Sequence, residues 1–448
     1  MENTAFKIYQ FEDKGLAHYS YAVLSEGEIV LIDPARNPQP YYEYATLHDA
    51  RIVAVIETHP HADFVSSHLE IASSKEALIY ASKLLGATYP HESFDDGDFF
   101  QVGKVTLHAI NTPGHSPDSI TIVLKDENQK EVAAFTGDTL FIGDVGRPDL
   151  RESVGNLTAK RDELARQMYR STREKLMKLP DDVLVYPSHG AGSLCGKGLS
   201  SANVSTIGAE KLSNSALQEM TEEAFVEFLT ADQPFVPKYF GYDVELNKQG
   251  APDYNPSVNA VPRLEADHAL DSNALVIDAR PQTSFRKGHL TGAINLMDGL
   301  KFETWLGSIV GPDEKYYLIA ETEDALEKLI AKAAKIGYEL NIAGGIVAKE
   351  LGEETSPETD VNAFTQNPDA FTIVDIRNTG EVKTRQIFPN AISIPLPELR
   401  ERAHEIPADK PVLVHCAGGY RSAAGASIIR QAVQDQPVYD LGEAITKF

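Results

Sequence analysis

The stretch THPHADFVSSH, residues 58–68, sets three histidines and an aspartate within eleven positions, directly after the apolar run RIVAVIE. Imidazole and carboxylate together suit Zn, Fe or Mn. His59 and His61, two apart on a tight turn, can converge on one region. Three further apolar runs end in the same way. VTLHAINTPGHS delivers His115, EVAAFTGDTLF delivers Asp138 and DVLVYPSHGAG delivers His189. Four strands that each end in a ligand-type residue are the pattern of a metal site on loops held by a rigid sheet. Upstream, YAVLSEGEIVLIDP reads as a hairpin turning at Glu26-Gly27, with Asp33-Pro34 ending its second strand. Helical spacing of charged and apolar residues is expected over 160–178 and 215–230.

The 448 residues are too many for a single core, so two to four domains are expected. A net charge of -25 argues against nucleic acid or an anionic membrane as the main partner. No basic leader with an apolar run and no apolar stretch of membrane-spanning length is seen, which leads to an expectation of a cytoplasmic protein. The two cysteines, Cys195 and Cys416, exclude a disulfide scaffold and fit a reducing compartment.

From 231 to 262 the chain gathers Pro, Gly, Asn and aromatic residues, which places a first boundary near 245–262. Beyond it lies a diverged internal repeat. ALVIDARPQTSFRKGHLTGAINL (274–296) parallels FTIVDIRNTGEVKTRQIFPNAISIPL (371–396): a β-branched strand, an Asp-x-Arg, a helical stretch and a short Ala-Ile strand. A later strand follows in each, KYYLIA and KPVLVHC, and then a helix, so each copy reads as an α/β unit with a parallel sheet. ELGEETSPETD (350–360) is an acidic, turn-rich linker between them.

In VLVHCAGGYRSAAGASIIRQ (412–431), Cys416 opens a glycine-containing loop that Arg421 closes before a helix. Successive amide N–H groups and a helix N-terminus favour a thiolate at such a place. After YYLIA the middle copy reads Glu321-Thr322-Glu323-Asp324, with no thiol and with acidic side chains that repel an anion. Cys195 lies six positions after His189 in a glycine-rich segment, where Lys197 would also favour a thiolate.

The series THPHADF, TPGHS, FTGDTLF and PSHGAG resembles the metallo-β-lactamase fold, which implies an αββα sandwich with its metal at one edge. A binuclear zinc thioester hydrolase of the glyoxalase II type is similar, but its second metal needs a histidine at position 64, where this chain has Phe64. The run through GDTLFIGDVGRPDL resembles persulfide dioxygenases, and His59, His115 and Asp138 match that family's iron ligands: two histidines and one carboxylate, the facial triad of non-haem Fe(II) oxygenases. That family also usually keeps a histidine at 64, so Phe64 departs from it without touching the triad. His61, Asp63 and His189 would then orient ligands and water. Arg147 in GRPD matches an arginine near the site, with a loop salt bridge as its other reading.

The CAGGYR loop resembles the active loop of a rhodanese more than that of a protein phosphatase. Cys416 would carry sulfane sulfur as a persulfide, and Ala417, Gly418, Gly419, Tyr420 and Arg421 would cradle it and an anionic acceptor such as sulfite. Cys195 matches a cysteine of dioxygenase–rhodanese fusions, which gives it an expected part in turnover, with a small buried residue or a tolerated free thiol as its other reading. The whole resembles persulfide dioxygenase–rhodanese fusions of the type with a silent rhodanese in the middle. The expected fold is therefore α/β and multidomain: a metallo-β-lactamase-fold sandwich at 1–245, a rhodanese-like domain without the cysteine at 263–350, and a rhodanese domain with it at 356–448.

The resemblance implies one Fe(II) per chain and oxidation of a low-molecular-weight persulfide (of glutathione, coenzyme A or another thiol carrier) by O2 to sulfite. Transfer of a second sulfane sulfur to that sulfite would give thiosulfate, a sulfide-detoxifying sequence, in an expected homo-oligomer. The rivals are a zinc thioester hydrolase fused to sulfurtransferase domains and a sulfur-relay protein with an inactive first domain.

Overall fold

In the computed structural model, residues 5–150, 161–352, 354–433 and 435–448 are described. Two compact units emerge, one of Met1–Pro256 with Lys335–Gly337 and one of Ser257–Ala334 with Tyr338–Phe448.

The first unit is a two-sheet sandwich. One sheet runs Lys7–Asp13, His18–Ser25, Glu28–Ile32, Arg51–Glu57, Leu78–Ala81, Glu92–Ser93. The other runs Ser205–Thr206, Leu184–Pro187, Glu131–Gly137, Ile120–Lys125, Val105–Asn111, Phe99–Val102. The expected hairpin is present: His18–Ser25 pairs antiparallel with Glu28–Ile32. Glu26 and Gly27 both have positive φ, 49° and 79°, the left-handed pair whose twist suits a two-residue hairpin turn.

Alternation along the strands builds three layers of core. Val30, Ile32, Ala54 and Ile56 pack between the sheets against Leu107, Ile122, Leu124 and Phe135. Their neighbours Ile29, Leu31 and Val55 point the other way and bury Tyr41 and Ile71 of the helices Gln39–Leu47 and His68–Lys75. On the far side Val123 and Ala134 pack on Met168 and Phe225, from the helices Arg161–Arg170 and Glu222–Thr230. Strands covered on both faces read as the continuous apolar runs seen in the sequence, and the result is an αββα sandwich.

Two expected helices are interrupted. The 160–178 segment, whose first residue lies outside the described ones, is α-helical over Arg161–Arg170. It then widens into a π-turn, Ser171–Lys175, and tightens into a 3-10 turn, Leu176–Lys178. The 215–230 segment breaks because Asn214 caps a short 3-10 turn, Ser215–Leu217, and Thr221 caps a new helix through the Ala224 N–H. A side-chain oxygen that satisfies an orphan N–H starts a helix wherever it stands. The Pro- and Gly-rich region near 245–262 carries the helices Phe240–Gln249 and Tyr254–Asn259.

The second unit holds the two repeats. The first has a parallel sheet in the order Arg263–Leu264, Ile342–Val347, Tyr316–Ala320, Leu275–Asp278, Ile294–Asn295. The second is ordered Ile392–Ser393, Thr372–Asp375, Val412–His415, Val438–Asp440, again all parallel. The Asp-x-Arg of each repeat is a buried clamp. Arg280 holds Asp278 through two nitrogens and donates 2.8 Å to the Gly288 carbonyl. Arg377 holds Asp375 in the same way and donates 2.9 Å to the Arg385 carbonyl. In both, the carbonyl lies eight residues on. The linker adds Glu354, whose carbonyl accepts the His289 N–H, and Ser356, whose N–H reaches the Arg286 carbonyl; Glu353 of this linker lies outside the described residues.

Candidate metal centre and thiol loop

The parallel pairing of Glu131–Gly137 with Leu184–Pro187 sets Asp138 and His189 side by side. The parallel pairing of Glu28–Ile32 with Arg51–Glu57 sets Asp33 beside Thr58. The Ile120 N–H donates to the Thr58 carbonyl, joining the loop that carries His115 to the histidine motif. Strand ends therefore deliver all six sequence-nominated residues to one buried place.

His59, His115 and Asp138 offer ligand atoms that all lie within 4.8 Å of one another. The His59 Nε2 is 3.8 Å and the His115 Nε2 3.4 Å from Asp138 Oδ2. His189 Nε2 lies 3.5 Å from the other oxygen of Asp138 and 3.4 Å from Asp63 Oδ1. His61 groups with Asp138 and His189, and Cys195 groups with Asp63 and His189. Both oxygens of Asp138 are buried and take no hydrogen bond among the described residues. A buried carboxylate so placed calls for a positive partner, a metal ion or a protonated histidine. The donor set fits a metal of the Zn, Fe or Mn class. Consistently, burial disfavours the His189 cation, yet Asp138 and Asp63 outweigh it and push the group up to about 9. Burial likewise opposes ionisation of Asp63, but His189 and His61 hold it down at about 2.

The surroundings fix the ligands. Asp33 accepts the Thr58 amide at 2.8 Å, the Thr58 hydroxyl at 2.8 Å and the Ser188 hydroxyl at 2.7 Å. With its proton given to Asp33, Thr58 Oγ1 is left to accept from His59 Nδ1, 3.0 Å away. That puts the ring proton on Nδ1 and leaves the Nε2 lone pair facing Asp138. Asp33 also lies 3.3 Å from His61 Nε2. The π-turn supports His115: Ser171 donates 2.7 Å to the Pro113 carbonyl, and Gly114 rests so closely on Met168 that a Cβ would come within 2.5 Å of its Cα. Gly146, in GRPD, admits no side chain either, since a Cβ would lie 2.0 Å from the Asp138 carbonyl oxygen.

Phe64 is buried, with its ring 4.3 Å from that of His61 and 3.8 Å from that of His18. His18 was not singled out in the sequence, nor was Asp33 beyond ending a strand. Asp33 carried one sequence mark, an acid at the end of a β-run, but only strand pairing brings it beside the motif; His18, at a strand start, carried no mark. Burial, with His189 and His61 nearby, lowers His18 to about 3 and keeps it neutral.

One expectation about charge needs correction. Lys197 does not serve Cys195: its ammonium donates to the Phe228 and Ala231 carbonyls at 2.7 and 3.0 Å. Burial and the carboxylates of Asp63 and Asp138 push the Cys195 thiol up. Arg147 is engaged by its own loop, with two 2.6 Å bonds to Asp149 and others to the Leu194 and Phe235 carbonyls. Its N–H donates to the Cys195 carbonyl, which ties the two segments together.

In the second unit Cys416 is buried at the end of Val412–His415, while Ala417 and Gly418 are exposed. The Gly419 N–H donates to Cys416 Sγ at 3.1 Å. Gly419 has φ 96° and starts the helix Tyr420–Ala432; a Cβ there would lie 2.6 Å from the Glu443 nitrogen. Arg421 forms a two-bond pair with Glu381, at 2.6 and 2.7 Å, and lies over the Trp305 ring of the middle repeat at 5.3 Å. Tyr420 donates 2.7 Å to the Met297 carbonyl of that repeat. Strand register locates the position in the middle copy that corresponds to Cys416. Asp278 pairs with Ile319 as Asp375 pairs with His415, so Ala320 stands where Cys416 does. The helix Glu323–Ala334 begins three residues later rather than four.

The profile of the metallo-beta-lactamase superfamily matches residues 13–189, and that of the rhodanese-like domain matches 263–349 and 359–448. The persulfide dioxygenase ETHE1 of Bos taurus is 30% identical over 234 residues, covering 51% of this chain and 81% of that protein. Its Homo sapiens counterpart is 30% identical over 203 residues, covering 45% and 71%. A crystal structure of a metallo-beta-lactamase from Staphylococcus aureus subsp. aureus COL is 33% identical with a TM-score of 0.68, covering 77% of this chain and 99% of that one. No helix among the described residues is long and apolar enough to cross a membrane. Fold, buried ligand set and these likenesses lead to one assignment: the chain belongs to the metallo-β-lactamase superfamily, as a member related to the ETHE1-type persulfide dioxygenases and fused to two rhodanese-like domains.

Proposed function

We propose that the chain is a persulfide dioxygenase coupled to a sulfurtransferase, with the dioxygenase at 1–245, a silent rhodanese at 263–350 and an active one at 356–448. The observation that carries it is the buried His59–His115–Asp138 group with Phe64 closing the adjacent position. Ferrous iron held by these three residues would supply the redox chemistry and open positions that oxidation of a persulfide sulfur by O2 requires. Around it, Thr58 and Asp33 hold His59 in the ligating tautomer, and Phe64 and His18 exclude a second ion and water from one side. Cys195 and Arg147 line the same region as candidates for contact with the substrate.

The balanced reaction is RSSH + O2 + H2O giving RSH, sulfite and two protons. At the second site Cys416 takes the outer sulfur of another persulfide, releasing RSH, and yields it to sulfite as thiosulfate. Trp305 and Arg421 wall that loop, so the middle repeat takes part as structure rather than as chemistry.

The test is anaerobic purification, metal quantitation and oxygen uptake on glutathione persulfide. About one iron per chain and uptake abolished by His115→Ala are expected. Two zincs with thioester turnover, or undiminished uptake in that variant, would refute the reading. Cys416→Ser should keep oxygen uptake and lose thiosulfate; unchanged thiosulfate would remove the relay.

A further inference from the structure

Arg430 sits in the last turn of the helix Tyr420–Ala432, half-buried, and its guanidinium makes no hydrogen bond or ion pair among the described residues. It opens onto a cleft of about 680 Å³ where the two repeats meet, with Thr291 and Gly292 on one side and Ser427 and Gln431 on the other. The volume is in the range of small-molecule sites. No residue of the loop Cys416–Arg421 is among those lining it, and Tyr420 to Arg430 spans about 15 Å of helix axis, so the cleft is separate from the thiol.

The charges around the cleft have both signs. Glu354 and Asp435 line it with Arg430. Glu354 Oε1 accepts the Thr291 hydroxyl at 2.6 Å, and its other oxygen lies 3.8 Å from His289 Nε2. Burial lowers the His289 pKa, so that ring is neutral and leaves the carboxylate charge standing. A plain oxyanion drawn to Arg430 would also meet these two carboxylates. A molecule with an anionic and a cationic group satisfies both, with its carboxylate forked on Arg430 and its ammonium on Glu354. The cleft is too large for a lone ion and fits a molecule with several torsions.

We infer that this cleft is a second ligand site, for a zwitterionic amino acid or short peptide bearing a free carboxylate and a free ammonium. This does not depend on the reaction proposed above.

The test is calorimetric titration of the full chain with L-glutamate, with glutathione and with inorganic phosphate. Binding of at least one zwitterion is expected, weakened tenfold or more by Arg430→Ala and also by Glu354→Gln, and retained in Cys416→Ala. Because Arg430 has only longer-range attraction to Glu354 and Asp440, and no hydrogen bond or ion pair among the described residues, its removal should leave the folded chain and its thermal midpoint in place. Tighter binding of the tripeptide than of the amino acid would identify the peptide as the occupant, and the reverse the amino acid. Binding of phosphate alone, no binding of either zwitterion, or affinity unchanged by Arg430→Ala would overturn the inference.

Discussion

The Phe64 ring lies 3.8 Å from the His18 ring and 4.3 Å from the His61 ring, so a buried aromatic stack fills the position next to Asp63. Substituting Phe64→His places an imidazole next to Asp63 in the chain and against the His61 ring. The variant, loaded with zinc and assayed by elemental analysis, should bind more than one ion per chain and approach two. A stoichiometry unchanged from the parent would mean that Phe64 is not what limits the count. The same change removes one buried aromatic contact, at a cost on the order of 1–2 kcal/mol.

Asp33 governs His59 through a hydroxyl. In Asp33→Asn, an amide N–H2 in place of Oδ2 would donate to Thr58, whose own proton then turns toward His59 Nδ1. The ring proton is driven to Nε2, the atom that faces Asp138. Metal affinity should fall by roughly 10–100-fold, the scale of a lost outer hydrogen bond. Thr58→Val, which removes the relay without inverting it, should lose less. Equal losses in a competitive chelator titration would count against the tautomer argument.

The Glu381–Arg421 pair sets a pH dependence. Burial alone would raise Glu381, but its two hydrogen bonds from Arg421 hold it below the usual carboxylate value. A depressed carboxylate gives its stabilisation in full above the unfolded value, about 4.3, and loses it as pH falls through the folded value. Trp305, the sole tryptophan, lies 5.3 Å from Arg421 and reports on the pair. Its fluorescence should shift only below about pH 4.3, and Glu381→Gln should abolish that step.

Placing a thiol at Ala320 tests whether the middle repeat lacks only a cysteine. Register equates Ala320 with Cys416, but the loop after it is one residue shorter and begins with Glu321, which accepts the Ser284 hydroxyl. The double variant Cys416→Ser/Ala320→Cys should therefore form no thiosulfate. Recovery of more than about a tenth of the parent rate, where each tenfold is 1.36 kcal/mol of barrier, would show that this repeat lacks nothing but the thiol.

Much of the fold was legible because both sheets of the sandwich are covered on both faces, so its strands appear as unbroken apolar runs. The four runs ending in His59, His115, Asp138 and His189 could be read because pattern and chemistry coincide at strand ends. Asp33 escaped because its role depends on which strand lies parallel to Arg51–Glu57, and pairing is not written in the spacing of one run. The break of the 215–230 helix escaped because Asn214 and Thr221 act as caps only after competing with an adequate helical pattern. Lys197 shows the limit for charge: its sequence neighbours suggested a role at Cys195, and carbonyls distant in the chain, Phe228 and Ala231, took its donors.

The paired clamps, Asp278 with Arg280 and Asp375 with Arg377, each staple a carbonyl eight residues downstream without using any atom of the thiol loop. The thiol loop and the fold's clamp thereby rest on different residues of one repeat. A gene copy that loses its cysteine keeps the lock that closes its sheet, and selection can then reshape its surface freely, for partners or for neighbours, without first having to repair its interior.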